Sequence, residues 1–199
     1  MLGGLHIEMA LWNNVGKLLE NSQWTEVLGE ANILTSGRAN SVLHASHVKR
    51  ACCTHEVSAV AFDRAKTMAY RESDTEIGYS DWIADQCSKL PTFIFWDLIM
   101  RLQLMVLTFT RSIRERNIEL YTNILEKLLP LFFALDSTNY TRWFSIHVRD
   151  LKNLPASIQQ RFKEKLWTVT RSDHNFSSIA IDQGETFFKP IDQTLLFVL

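Results

Sequence analysis

The sequence contains few of the residues that interrupt helices. Its 199 residues include seven glycines and four prolines, and long helices tolerate so few turn formers better than a many-turned β-sandwich does. The three cysteines, Cys52, Cys53 and Cys87, are too few and too poorly spaced for a disulfide framework. We therefore expect free thiols and an intracellular protein of the nucleus or cytoplasm that is not secreted.

We predict neither a secretory leader nor a membrane span. Residues 1–5 contain no lysine or arginine, and Glu8 breaks the apolar stretch that follows them. The most apolar run, residues 91–110, contains Asp97, Arg101 and Gln103, which are costly at the centre of a bilayer. We interpret this run as a core helix and predict no membrane partner.

No sign of charge dominates the chain as a whole. The 21 basic residues oppose 22 acidic ones, for a formal net charge of −1, and 46% of the residues are hydrophobic. These values exclude a uniformly basic nucleic-acid binder and a disordered tail. Residues 139–171, however, contain seven basic and two acidic residues, so the neutral total conceals a local basic segment.

Hydrophobic periodicity predicts a mainly α fold, a multi-helix bundle around a central helix at about 92–116 with a small C-terminal β-hairpin. Apolar residues cover most of the circumference of that central helix. The predicted organisation is a helical domain at 1–166, a hairpin at 167–183 and a divergent tail at 184–199, in a single globular unit. The other predicted helices cover residues 6–20, 21–30, 40–71, a short stretch from residue 80, 118–135, 139–151 and 156–166.

Three local signals refine these elements. Residues 35–38 contain a Thr-Ser-Gly-Arg sequence typical of a loop. Asn117 is a suitable cap for the helix that follows it. Pro130 is expected to kink or split that helix, because proline lacks the backbone N–H and clashes with the preceding turn.

Two kinds of chemistry receive little support from the motifs. Cys52, Cys53 and His55, with His47 nearby, contain zinc-binding residue types, but a closed zinc site needs four ligands, usually as two separated pairs. On a helix Cys53 points away from the other two, so we predict no metal site. Gly3-Gly4 lacks the Walker spacing, and no serine lies in a Gly-x-Ser-x-Gly turn.

The densest mixture of aromatic and ionisable residues falls in the seventh predicted helix. Arg142 and Arg149 are seven residues apart and share one face, while Trp143 and His147 share another that we expect to point inward. Asp150 is three residues from His147 and could orient its imidazole. Two interpretations stay open: a phosphate-contacting arginine face beside an inward His–Asp pair, or a solvated basic face over an aromatic core contact.

Three carboxylates lie near the ends of predicted elements: Asp136, Asp182 and Glu185. Carboxylates that hold two divalent metal ions typically come from strand ends and a nearby helix, far apart in sequence. Asp182 follows a predicted strand and fits that description. The alternative for Asp182 is a turn-forming aspartate without a catalytic role.

Several stretches together resemble a known family. The sequences GGLHIEMALW at 3–12, NYTRWFSIHVRD at 139–150 and IAIDQ at 179–183 are similar to a family of repeated animal proteins associated with mobile elements and with transposase-like cores of RNase H type. The resemblance covers about residues 2–183. It implies that the chain is a fragment, the helical insertion of an RNase H-like core, whose intact relatives cut or join DNA with carboxylate-held Mg²⁺.

This resemblance implies a function and a set of site residues. We expect a fragment of a transposon-derived DNA-transacting protein that is catalytically inactive alone, contains no cofactor and binds DNA weakly. Its partners would be DNA, a second copy or the remainder of the parent protein; the alternative is a non-enzymatic helical interaction or scaffold module. The candidate catalytic residues are Asp182, Glu185 and Asp136, the candidate DNA contacts are Arg142, Arg149, Arg161, Lys163 and Lys165, and further candidates are His6, His147 and Asp150.

Overall fold

The fold is mainly α-helical, as predicted. The computed structural model describes residues 3–135, 138–174 and 176–187, and of residues 36, 138, 139 and 185–187 it describes the backbone alone. The described part contains ten helices and one two-stranded sheet. The elements are α1 Gly4–Leu19, α2 Trp24–Glu30, α3 Ser36–Leu43, α4 Val48–Glu72, α5 Tyr79–Lys89, α6 Pro91–Arg114, α7 Ile118–Ala134, α8 Thr138–Lys152, α9 Ala156–Lys163, β1 Thr168–Thr170, β2 Ser178–Ala180 and α10 Ile181–Phe187.

The described part of the chain divides into two compact units. One unit consists of residues 15–105, and the other combines the described parts of 1–14 and 106–199. We call them the middle unit and the terminal unit. Helices α1 and α6 each contribute residues to both units. In the terminal unit the start of α1 packs against the hairpin, where Gly4 approaches Ala180, although the two are far apart along the chain.

The middle unit is organised around a buried polar cluster. The indole of Trp24 donates a 2.8 Å hydrogen bond to Ser58 Oγ and stacks on His55, with 4.8 Å between ring centroids. Gln103 Nε2 lies 3.0 Å from His55 Nδ1 and donates to Ser58 Oγ. Burial lowers the pKa of His55 to about 3, so the imidazole is neutral. This cluster ties α2 and α4 to α6.

A single helix was predicted over residues 40–71, and this is wrong. Helix α3 ends at Leu43 and α4 begins at Val48, with Ala45 in the left-handed region at φ 51°. Helix α3 also begins at Ser36, inside the segment predicted as a loop. Ala45 is completely buried, so the packing of the break offsets the cost of a left-handed alanine.

In the terminal unit, α7 and α8 pack through aromatic side chains. Phe132 contacts Phe144 and Tyr140, with ring centroids 4.5 and 5.4 Å apart. Asn117 caps α7 as predicted, since its Oδ1 accepts a 3.0 Å hydrogen bond from the Leu120 N–H. Pro130 does not split α7, which continues to Ala134. The buried Leu131 and Phe132 side chains that follow Pro130 hold the last turn in place.

The predicted hairpin is confirmed, with shorter strands. β1 and β2 pair antiparallel, Thr168 with Ala180 and Thr170 with Ser178. The chain then enters α10, where the sequence had indicated no regular element. Gly184 permits this turn of α10 to approach β1, because an added Cβ would lie 2.9 Å from a methyl carbon of Val169.

Helix α6 combines core positions with an apolar exposed side. Ile99, Val106 and Phe109 are completely buried, as expected of a core helix. Ile94, Leu98 and Leu104 are nevertheless 48%, 47% and 45% exposed, respectively. Among the described residues, α6 is the one helix long and apolar enough to cross a membrane by length and composition. A core helix of a soluble protein meets the same criteria.

Candidate functional site

The predicted site residue Asp182 lies against the N-terminus of α1. One carboxylate oxygen accepts a 3.1 Å hydrogen bond from the Leu5 N–H, and the other accepts a 3.1 Å bond from the His6 N–H. His6 Nδ1 lies 2.8 Å from the second oxygen. The first N–H groups of a helix have no partner within it, and the positive end of the helix dipole favours an anion there. Asp182 therefore caps α1 from a distant element.

The Gly3-Gly4 pair makes this capping contact possible. A Cβ on Gly3 would collide with the Asp182 carboxylate. A Cβ on Gly4 would lie 2.9 Å from the Ala180 Cβ and 3.2 Å from a methyl carbon of Ile113. The absence of both side chains therefore lets the end of β2 and the start of α10 reach the helix terminus.

The three stretches singled out in the sequence, 3–12, 139–150 and 179–183, meet at this point. The Tyr140 hydroxyl donates a 3.4 Å hydrogen bond to the His6 carbonyl. Because Asp182 also contacts His6, residues of all three stretches lie together.

Glu8, one turn into α1, is buried and accepts a hydrogen bond from the Thr110 hydroxyl at 3.1 Å. Burial is the main cause that raises the pKa of Glu8. The sequence analysis missed Glu8 as a buried acid, although its position between Ile7 and Leu11 on an apolar helix was a signal.

The predicted catalytic set cannot be assembled from the described residues. Asp136 lies outside them, and Glu185 lies in α10 with its side chain outside the described part. Within 3–135, 138–174 and 176–187, no group of three or more His, Cys, Asp or Glu residues is placed to hold a metal ion. The catalytic assignment of the three carboxylates stays a prediction, and the observed contacts give Asp182 a structural role.

The predicted His147–Asp150 pair is not the arrangement observed. Asp150 Oδ1 accepts hydrogen bonds from Arg149 instead, from Nη2 at 2.8 Å and from Nε at 3.1 Å. His147 is 5% exposed and packs edge-on to Tyr121 at 6.4 Å. Burial is the main cause that lowers the pKa of His147 to about 4, against the opposite influence of Asp150. His147 is therefore a neutral core residue at physiological pH.

The neutral state of His147 predicts a loss of stability in acid. The unfolded chain binds a proton near pH 6.5, whereas folded His147 binds one only near pH 4, so its contribution to stability disappears as the pH falls between these values. Between about pH 7.5 and pH 5, wild type should lose up to about 2 kcal/mol more unfolding free energy than His147→Gln. Urea titrations of both proteins measure this difference. His55 is present in both, so its own contribution cancels, and equal pH dependence would contradict a neutral His147.

The expected inward position of Trp143 is also wrong. Trp143 is 55% exposed, whereas Phe144, His147 and Val148 are buried. At 100° per residue Trp143 lies about 100° from Phe144, outside the stripe those side chains form. The helical spacing of Phe144, His147 and Val148 could have indicated that Trp143 lies outside the buried face. The high hydrophobicity of tryptophan favoured the opposite expectation.

The candidate DNA-contacting residues differ in their availability. Arg149 is bound to Asp150, and the neighbouring Lys152 donates a 2.6 Å hydrogen bond to Glu126. Arg142 is exposed beside Trp143. On and just after α9, Arg161 is half-buried, and Lys163 and Lys165 are exposed. The structure therefore leaves a smaller set of candidate phosphate contacts than the sequence suggested.

Comparison with known proteins adds one family. A family model described as a domain of unknown function, DUF8702, matches residues 73–186. No curated protein and no solved structure matches the chain. The matched segment runs from the end of α4 into α10, covers more than half of the chain and includes Trp143 and Asp182. The chain belongs to the DUF8702 family.

Proposed function

We propose that the chain is a non-enzymatic module that binds single-stranded DNA weakly through the outer face of α8. The observation that carries this proposal is the half-exposed Trp143 beside the exposed Arg142. The exposed indole presents an aromatic face to solvent, and stacking of a base on an aromatic ring contributes about 1–3 kcal/mol. Arg142, the preceding residue of α8, is exposed and supplies a guanidinium donor for a phosphate of the same strand.

Weak binding follows from the pairing of the other cations. Arg149 and Lys152 already bind Asp150 and Glu126, so their charges are partly neutralised. The remaining phosphate contacts are Arg142 and the basic residues of the α9 region, Arg161, Lys163 and Lys165. Each phosphate neutralised on a single strand contributes about −0.7 to the slope of log affinity against log salt. A few contacts predict a shallow slope and loss of binding at high salt.

We do not assign DNA cleavage to the chain, because Asp182 is already engaged in hydrogen bonds. Both of its carboxylate oxygens accept hydrogen bonds from the backbone of α1. A carboxylate used in this way offers fewer lone pairs to a divalent ion. The sequence resemblance to mobile-element proteins supports DNA as the nucleic acid, and the exposed indole favours single strands over duplex, where the bases are already stacked.

The experiment is fluorescence anisotropy of a labelled oligothymidine titrated with the full chain across a salt series. Trp143→Ala should weaken binding by about tenfold, corresponding to one lost base stack. Phe133→Ala is the matched control, because Phe133 is an aromatic residue of α7 that is 56% exposed. The affinity of this variant for the oligothymidine should equal that of wild type.

Three outcomes would contradict the proposal. The first is no binding by wild type even at low salt, and the second is equal affinity of wild type for duplex and single strands. The third is an equal loss of affinity in the Phe133 and Trp143 variants. Light scattering of the same samples tests the alternative of a helical interaction module. A stable dimer without DNA affinity would favour that alternative, through the exposed Ile94, Leu98 and Leu104 of α6.

A further inference from the structure

An apolar cavity opens between α4 and α6 in the middle unit. Its volume is about 360 Å³, within the range of about 300–1,000 Å³ typical of small-molecule sites. Phe62 and Trp96 form part of the wall, with ring centroids 5.0 Å apart, and Met100 lines the cavity with only 5% of its surface exposed. The space exists because α4 places alanines, Ala65 and Ala69, where larger side chains would fill it.

An ion pair lies among these apolar walls. Lys66 Nζ donates a 2.9 Å hydrogen bond to Asp97 Oδ1, and the side chains are only 11% and 6% exposed. Both residues line the cavity. Arg101 Nε approaches the other oxygen of Asp97 at 2.7 Å. Two cations therefore share one carboxylate, and these three groups together carry a net charge of +1, although Arg101 does not line the cavity and its side chain is 61% exposed.

The Lys66 ammonium has donor capacity beyond this pair. A lysine ammonium carries three N–H donors, of which one is directed to Asp97, and the Tyr79 ring lies 6.0 Å from Nζ. Because Lys66 is nearly buried, a charge that binds it is poorly screened by water. An anion would neutralise the excess positive charge, whereas a second cation would increase it.

We propose that this cavity binds an apolar carboxylate, with its hydrocarbon part between Phe62 and Trp96 and its carboxylate hydrogen-bonded to Lys66. Both features of the ligand correspond to features of the site. The apolar walls match a hydrocarbon body, and the remaining N–H donors of Lys66 match one negative group. Each additional methylene buried contributes about 0.8 kcal/mol, so affinity should increase up to about fourfold per methylene until the cavity is full.

The experiment is isothermal titration calorimetry of the full chain with hexanoate, octanoate and decanoate, each below its micelle concentration. Decanol and decyltrimethylammonium are the probes that share the hydrocarbon chain without the negative charge. We expect affinity to increase from hexanoate to decanoate. Decanoate should bind at least about tenfold more tightly than decanol, because a hydrogen bond to a charged group contributes about 1.5–3 kcal/mol. Decyltrimethylammonium should bind least tightly of the five probes. Absence of decanoate binding, or tighter binding of the cation, would overturn the proposal.

Two pairs of variants locate the site. Ala65→Phe fills the cavity and should reduce decanoate affinity at least tenfold. Ala61→Phe places the same ring at an exposed alanine one turn earlier in α4, outside the cavity lining. This second variant should bind decanoate with the affinity of wild type. Lys66→Met should abolish the preference for decanoate over decanol, and Lys66→Arg should keep it. Circular dichroism checks that each variant is folded. Equal effects of the two alanine variants would place the ligand elsewhere and refute the proposal.

Discussion

Replacing Gly16 by alanine should destabilise the protein by about 3 kcal/mol or more. Gly16 lies in α1, and a Cβ at this position would collide with the backbone carbonyl of Leu43, the last residue of α3. A side chain in the way could rotate aside, but a backbone carbonyl moves only with its helix. Overpacking that requires backbone shifts typically costs about 1–3 kcal/mol and sometimes more. Here α1 and α3 would have to separate at Gly16 and Leu43.

The matched control for this change is Gly37→Ala. Gly37 lies in α3, and a Cβ there would meet nothing within 4 Å. Its φ angle is not in the left-handed region, so alanine should stabilise the helix by about 0.5–1 kcal/mol. Urea denaturation followed by circular dichroism gives both free energies. If Gly16→Ala were as stable as wild type, α1 and α3 would not approach each other closely at this point.

Replacing Asp182 by alanine should cost about 2 kcal/mol of stability. The carboxylate accepts hydrogen bonds from two N–H groups at the start of α1, at 3.1 Å each, and binds the His6 side chain at 2.8 Å. Loss of an N-terminal cap costs about 0.5–2 kcal/mol, and loss of a favourable charge at the helix dipole about 0.3–1 kcal/mol. The two N–H groups would be left without this acceptor.

Two further variants make this prediction specific. Asp182→Asn keeps an acceptor without the charge, so we expect a smaller loss than for alanine. Asp173→Ala removes an exposed aspartate from the segment between β1 and β2 and should change stability little. Thermal denaturation of the three variants provides the comparison.

The sign of the Asp182 effect separates the structural role from the catalytic one. Carboxylates gathered for metal binding repel one another, and their removal tends to stabilise the folded state at the expense of activity. A carboxylate that caps a helix stabilises the fold. An Asp182→Ala protein more stable than wild type would therefore contradict the cap and support the catalytic prediction.

Local signals were sufficient for several elements. Asn117 was predicted as a helix cap from its residue type and the apolar run that follows, and its side chain bonds Leu120, three residues away. The hairpin was predicted from alternating residues on both sides of a polar turn, and its strands pair across that turn. In both cases the interacting groups are close in sequence, so composition and spacing carried the necessary information.

Other features were decided by packing against distant residues. The break between α3 and α4 contains no glycine or proline at Ala45, and buried contacts select its left-handed conformation. Trp143 was expected inward because of its hydrophobicity, yet the aromatic contact of Phe144 with Phe132 determines which face of α8 is buried. Helix α10 had no clear periodicity to predict it.

The composition and periodicity of this chain specified a helical protein with one hairpin, because helix formation and strand alternation depend on neighbours a few residues apart. The partners of its ionisable residues depended on the folded chain. Asp182 reaches Leu5 across 177 positions, and Lys66 reaches Asp97 across 31. Such contacts depend on how distant helices pack together, and a short window of sequence does not encode that packing. They decide which carboxylates support the fold and which line a cavity.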